Sequence, residues 1–139
     1  MMIIVLDTNV LVAGLLNPFG PPGRLLDLVL SGELLIAYDD RNLAEYRNVL
    51  PRDKFAIDPT AIAEMLTEIE AEGVYAPTTP LDVQLPDPDD LPFLEVAHGA
   101  QVDALVTGNV RHYPSSSRRG VKVLAPAEFL KRWRADHPE

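Results

Sequence analysis

Met2-Ile3-Ile4-Val5-Leu6 is an unbroken apolar run that stops abruptly at Asp7-Thr8-Asn9. Apolar side chains at every position, rather than at alternate ones, predict a strand covered on both faces, as in the middle of a parallel sheet. Val10, Leu11, Val12, Leu15 and Leu16 then predict a short helix. The Asn17-Pro18-Phe19-Gly20-Pro21-Pro22-Gly23 loop leads into a helix from Arg24 to Leu30, closed by Gly32, and Leu34 to Ala37 reads as the second strand. Leu43, Tyr46, Val49 and Leu50 make an apolar arc on the next helix, with an aspartate at its start placed to cap free N–H groups. Between Pro59 and Glu72, Ile62, Met65, Leu66 and Ile69 recur at helical spacing, and Gly73 is the stop.

Val74 to Ala76 is a short strand candidate, and the proline-rich connection from Pro77 to Pro92 cannot be helical through most of its length. Leu91 to Gln101 is the next helix, Ala104 to Thr107 the next strand, and Val121 to Leu124 the last strand before a helix from Ala127 to about Arg134. Strands and helices alternate. The pattern predicts one α/β domain over residues 1–139, with a mainly parallel central sheet of about five strands and six or seven helices. A chain of this length can bury roughly two-thirds of its unfolded surface in a single core.

Chemistry enters at the strand ends, because ligands of open α/β sheets collect where the strands finish. Asp7 would sit at the mouth of such a site, although an aspartate after a strand can also simply turn or cap the chain. Glu45 lies at the edge of the apolar arc of its helix, and Asp87, Asp89 and Asp90 crowd a constrained loop. The chain has no cysteine and three scattered histidines, which leaves oxygen ligands for any metal. Carboxylates gathered at one crevice repel unless a cation joins them, and Mg²⁺ or Mn²⁺ suits hard oxygen donors. Hydrolysis of a phosphodiester by an activated water is the chemistry this serves.

Charge modifies that picture. The net charge of −9 argues against nucleic acid, yet residues 1–110 hold 18 acids against 5 basic residues, whereas residues 111–139 hold 3 acids against 7. Arg111, Arg118, Arg119, Lys122, Lys131, Arg132 and Arg134 make up that basic end, which can equally be a solvated loop and helix. The first apolar run is too short to cross a bilayer and has no basic region before it, so a soluble, cytoplasmic protein without a membrane segment is expected.

Four segments carry a resemblance. Ile4-Val5-Leu6-Asp7-Thr8-Asn9-Val10-Leu11, Asp39-Asp40-Arg41-Asn42-Leu43-Ala44-Glu45, Asp87-Pro88-Asp89-Asp90-Leu91-Pro92-Phe93-Leu94-Glu95-Val96-Ala97 and Ala104-Leu105-Val106-Thr107-Gly108-Asn109 occur in the order of the four motifs of the PIN-domain ribonucleases. The chain resembles that family over nearly its whole length, especially the toxins of bacterial and archaeal toxin–antitoxin systems. The resemblance implies a three-layer α/β/α domain that cleaves RNA with Mg²⁺ or Mn²⁺ held by Asp7, Glu45 and Asp90. Asp90 stands seven residues before Ala97, as the family's ligand does before a small helical residue, and Asp87 is the substitute if the register is displaced. Asn109 departs from the family, which often has a fourth acid there. An amide supplies a carbonyl oxygen but no charge, so Asn109 is expected to assist, with weaker occupancy of a second metal.

Thr8, Asn9, Thr107, Arg111 and His112 are the expected substrate contacts. The hydroxyls of Thr8 and Thr107 read as groups beside the attacking water or as polar strand ends, and Arg111 and His112 as phosphate contacts or surface loop. His98 reads as exposed helix surface, His137 as disordered terminus and Trp133 as packing. The family further implies a homodimer and a cognate antitoxin, and the apolar residues of the Arg24, Glu45 and Ile62 helices exceed what a small domain easily hides. Two rivals remain. A phosphatase with a strand-borne aspartate usually needs a second acid where Asn9 stands, and a PIN-like interaction module would follow if the Asn109 substitution marks a decayed site.

Overall fold

The computed structural model describes residues 1–138. Its elements run β1 (Ile3–Leu6), α1 (Thr8–Leu16), α2 (Pro21–Leu30), β2 (Leu35–Tyr38), α3 (Asp40–Val49), α4 (Pro59–Glu72), β3 (Val74–Tyr75), α5 (Leu91–Gly99), β4 (Ala104–Val106), β5 (Val123–Leu124) and α6 (Pro126–Asp136). The five strands form one sheet in the order β3-β2-β1-β4-β5, and every pairing is parallel. Successive side chains of a strand point to opposite faces, yet Ile4, Val5 and Leu6 are all fully buried. Both faces are therefore covered. Helix α2 packs on α1, α4 and α6, while α5 packs on β1, β2, β4 and α3, giving the three-layer α/β/α architecture expected from the pattern.

Element boundaries differ from the sequence reading where local sterics decide them. Helix α2 begins at Pro21, ahead of Arg24, because prolines fit the first helical positions, where no N–H partner is needed. A Cβ on Gly23 would lie 2.5 Å from the backbone of Pro18, so only glycine allows the loop to fold back there. The second strand is shifted by one residue, and β5 keeps only Val123 and Leu124 of the expected four. Gly73 ends α4, but through crowding: a Cβ there would lie 2.2 Å from the carbonyl oxygen of Ile69. The stripe Ile62, Met65, Leu66 and Ile69 is buried within the chain, as are Leu25, Leu26 and Val29 of α2. The apolar excess expected on these helices is thus largely spent on the protein's own core. What stays exposed is Leu16, at 51%, and Phe19, at 81%, around the α1–α2 corner, with Leu30 at the end of α2.

Strand order reverses direction between β1 and β4, which are paired from Ile4 with Ala104 to Leu6 with Val106. Their carboxyl ends open the crevice where such sheets bind ligands. Among the described residues no helix is long and apolar enough to cross a membrane.

Candidate metal centre

Asp7 is the first residue after β1 and the residue before α1, but its side chain makes no capping hydrogen bond to that helix. Its Oδ2 instead accepts from the Thr107 hydroxyl at 2.9 Å and from the Tyr113 hydroxyl at 3.1 Å. The carboxylate is only 4% exposed, and burial raises its pKa above the ordinary 3.8, with the two hydroxyls opposing the rise. Thr107 is itself fully buried, donating to Asp7 and accepting from the Asn109 backbone N–H at 3.0 Å. That hydroxyl is fully committed to holding the strand end together.

Helix α3 brings Glu45. Asp39 starts the helix by accepting from the backbone N–H groups of Arg41 and Asn42, and the Asn42 side chain accepts from the Asp39 N–H in return. With the first turn fixed, Tyr46 is buried against Phe93 and donates to the Leu6 carbonyl oxygen at 2.6 Å, which pins α3 to the end of β1. Glu45, one position earlier, accepts a hydrogen bond from the Thr8 hydroxyl. Burial raises its pKa, and the charges of Asp7, Asp89 and Asp87 add to the rise against the Thr8 hydrogen bond.

The third contribution comes from a short 3₁₀ turn, Pro88–Asp90, which Asp87 caps by accepting from the Asp89 N–H at 3.0 Å. Asp90, buried ahead of α5, lies 3.2 Å from Nδ1 of His112. Burial and the charges of Asp7 and Asp87 push its pKa up to about 7, with His112 pulling the other way. Asp87, Asp90 and His112 each offer a ligand atom within 4.8 Å of the others. Asp87 and Asp89 join Thr8, Asn9, Glu45 and Asp90 along the acidic part of a groove of about 550 Å³, whose remainder is the apolar wall Val12, Ala13, Leu16, Val49 and Phe55 with Arg52 at the rim.

The proline-rich segment that delivers this turn is clasped from below. Glu95 of α5 is buried and accepts from Arg41 at 2.6 Å and from the Leu81 N–H at 2.7 Å, and Arg41 also reaches Asp39 at 2.7 Å. The residues that cap α3 and those that carry Asp90 are therefore tied through one guanidinium.

Asn9 is exposed and its Oδ1 accepts from the Gly108 N–H at 2.9 Å, bridging the ends of β1 and β4. Asn109 and Arg111 are exposed beside the crevice, and the Asn109 side chain caps nothing. His98 is exposed on α5, whereas His137 stacks on Trp133 with ring centroids 4.2 Å apart instead of trailing free. Sequence reasoning missed Tyr113, and it placed His112 only against substrate. A buried tyrosine needs a partner for its hydroxyl, so an aromatic directly after the strand-end loop was the available signal.

Oxygen donors dominate this arrangement, with one imidazole at its edge, and its carboxylates raise one another's pKa. That donor set fits a hard divalent cation. The repulsion also has a stability consequence. Folding raises the pKa of Asp90 from 3.8 to about 7, so between those values the folded chain holds a proton that the unfolded chain has released, and stability falls as pH rises through that window. In EDTA, the melting temperature is expected to be a few °C lower at about pH 8 than at about pH 5. Asp90→Asn should flatten the fall, and an equally steep fall in that variant would assign the effect to other groups.

A family profile described as PIN domain matches residues 3–111, a span that holds Asp7, Glu45, Asp90 and Asn109 and ends before His112 and Tyr113. The chain is also similar to uncharacterized protein MJ1680 of Methanocaldococcus jannaschii, with 28% identity over 141 residues that cover 92% of this chain and 89% of the relative.

Proposed function

Because the chain belongs to the PIN-domain family, we propose that it is a Mg²⁺- or Mn²⁺-dependent endoribonuclease of the cytoplasm, acting as the toxin of a toxin–antitoxin pair. PIN domains are typically metal-dependent nucleases, and this chain keeps an acidic group at the carboxyl ends of its strands, where sheets of this kind bind ligands. The observation that carries the reading is the convergence of acids from separated segments: Glu45 of α3 lines one groove with Asp87, Asp89 and Asp90 of the 3₁₀ turn, and Asp7 at the end of β1 is close enough to raise the pKa of both Glu45 and Asp90. A buried group of this kind is costly without a cation and useful with one.

Asp7, Glu45 and Asp90 are the proposed ligands, with Asp87 and His112 within reach of the Asp90 side. A divalent cation bound there lowers the pKa of water and neutralises charge on the phosphate. The residues contribute the rest. Thr107 and Tyr113 hold Asp7 in one orientation, and Thr8 holds Glu45. Asn109, exposed beside the acids, offers an amide to the substrate, and Arg111 with the basic residues that follow draws the RNA backbone toward an otherwise acidic face. Single-stranded RNA suits the groove, since unstacked bases can lie against its apolar wall of Val12, Leu16 and Phe55. The same wall is the proposed seat of the antitoxin, and the exposed Leu16 and Phe19 support a second copy of the chain as partner.

The test is a cleavage assay on single-stranded RNA and DNA in EDTA, Mg²⁺ and Mn²⁺. Metal-dependent cleavage of RNA with little action on DNA is expected, together with growth arrest when the protein is induced alone in cells. Cleavage that persists in EDTA would remove the metal from the mechanism, and binding of RNA without cleavage in either metal would favour an interaction module.

A further inference from the structure

Asp7 receives both of its side-chain hydrogen bonds on the same oxygen. Thr107 donates to Oδ2 at 2.9 Å and Tyr113 to the same atom at 3.1 Å, while Oδ1 takes no side-chain hydrogen bond among the described residues. Two side-chain donors on one oxygen restrict the rotation of the carboxylate and leave Oδ1 without a side-chain donor. Thr107 lies at the end of β4, inside the last of the four motifs, and Tyr113 lies beyond the matched family span altogether.

We propose that Tyr113 is a positioning residue of the metal centre, fixing Asp7 so that Oδ1 is the oxygen it presents to the cation. The inference rests on the reading of Asp7 as a ligand. Tyr113 is built for such a role. It is fully buried, and its own surroundings keep its hydroxyl protonated, because burial and the charges of Asp7 and Asp90 raise its pKa. Its backbone is held at both ends: the N–H donates to Val110 at 3.0 Å, and the carbonyl accepts from the Arg118 guanidinium at 2.7 Å. The loop that follows is stitched to the proline-rich segment by Arg119 on the Asp82 carbonyl, at 2.9 Å, and Ser117 on the Gln84 carbonyl, at 3.4 Å. Tyr113 therefore reports to Asp7 the position of the very segment that carries Asp87 and Asp90. Groups that orient a metal ligand in this way typically contribute 10–100-fold, about, to metal affinity.

Calorimetric titration of the full chain with Mn²⁺ tests this, comparing wild type with Tyr113→Phe, Asp7→Asn and Tyr38→Phe. The last variant is a control for general loosening: Tyr38 is also buried, at the end of β2, but its hydroxyl goes at 3.3 Å to the Glu70 carbonyl on α4, a helix that carries no proposed ligand. Tyr113→Phe should weaken Mn²⁺ binding at least ~10-fold, Asp7→Asn should weaken it further, and Tyr38→Phe should leave it within about twofold of wild type. Without any substitution, Mg²⁺ should also perturb the near-ultraviolet tyrosine absorption, because the acceptor of the Tyr113 hydroxyl becomes a metal ligand, and this signal should vanish in Tyr113→Phe. Unchanged affinity in Tyr113→Phe while Asp7→Asn loses binding overturns the positioning role alone, as does equal weakening in the two phenylalanine variants. If Asp7→Asn binds Mn²⁺ as well as wild type does, Asp7 is not a ligand, and the metal reading fails together with the inference. Should Tyr113→Phe not fold, the absorption change decides, and its absence in wild type at saturating Mg²⁺ overturns the proposal.

Discussion

Asp7→Asn is expected to keep the fold and lose metal-dependent RNA cleavage by more than about 100-fold, since removing even a group that only supports a ligand costs 10–100-fold in affinity or activity, roughly. The amide oxygen of asparagine can still accept from Thr107 and Tyr113, which occupy Oδ2 in the wild type. The amide nitrogen then takes the place of Oδ1 and presents hydrogens to the cation. Stability without metal moves the other way. Folding raises the pKa of Asp7, so its ionised form opposes the folded state once pH exceeds the unfolded value, and the neutral amide removes that opposition. In EDTA near neutral pH the variant should melt no lower than wild type. With Mg²⁺ it should gain little, because a ligand stabilises only the state that binds it. A variant that keeps both the Mg²⁺-induced rise in melting temperature and the cleavage rate would place the cation elsewhere.

Glu95→Ala should have the largest effect on the fold among the polar changes, a loss of about 3 kcal/mol, at the low end of what breaking a buried ion pair costs. The low end applies because Arg41, freed from Glu95, is half exposed and can turn to water. The half-buried Leu81 N–H also loses its acceptor. In a domain of this size the loss corresponds to roughly 10 °C in melting temperature. Glu95→Gln, which keeps an oxygen for Leu81 but not the charge for Arg41, should lose clearly less. Because the clasp fixes the segment leading to Asp87 and Asp90, Mn²⁺ affinity should fall in Glu95→Ala even where the protein remains folded. Thermal melting and metal titration on the same samples separate the two effects, and unchanged affinity would mean that the acidic turn is held without the clasp.

The end of β1 and the starts of α3 and α5 were legible along the chain because their causes are local, whereas α2, β2 and β5 begin elsewhere than the pattern placed them. A run in which every residue is apolar requires cover on two faces wherever it lies, and β1 has it. Asp39, with Asn42 three residues on, caps a helix through contacts that span a single turn. A carboxylate at the end of such a strand stands at a crevice in any parallel sheet, which is why Asp7 could be singled out. The candidate ligands on other segments came from the family pattern, not from any local rule.

What the tertiary structure decided was how these groups act on one another. Glu95 was visible only as part of a motif, and nothing in the local sequence says that it holds Arg41 and Leu81 across 54 and 14 residues. Tyr113 meets Asp7 across 106 residues, and no periodicity or spacing encodes a hydrogen bond over that distance. The raised pKa of Asp90 depends on burial and on the charges of Asp7 and Asp87, both of which exist only after the segments are packed together. Local propensity and hydrophobic pattern operate within a few turns of chain. Desolvation and coulombic coupling depend on distance through space, so the sequence determined which groups were available and the packing decided what they do together.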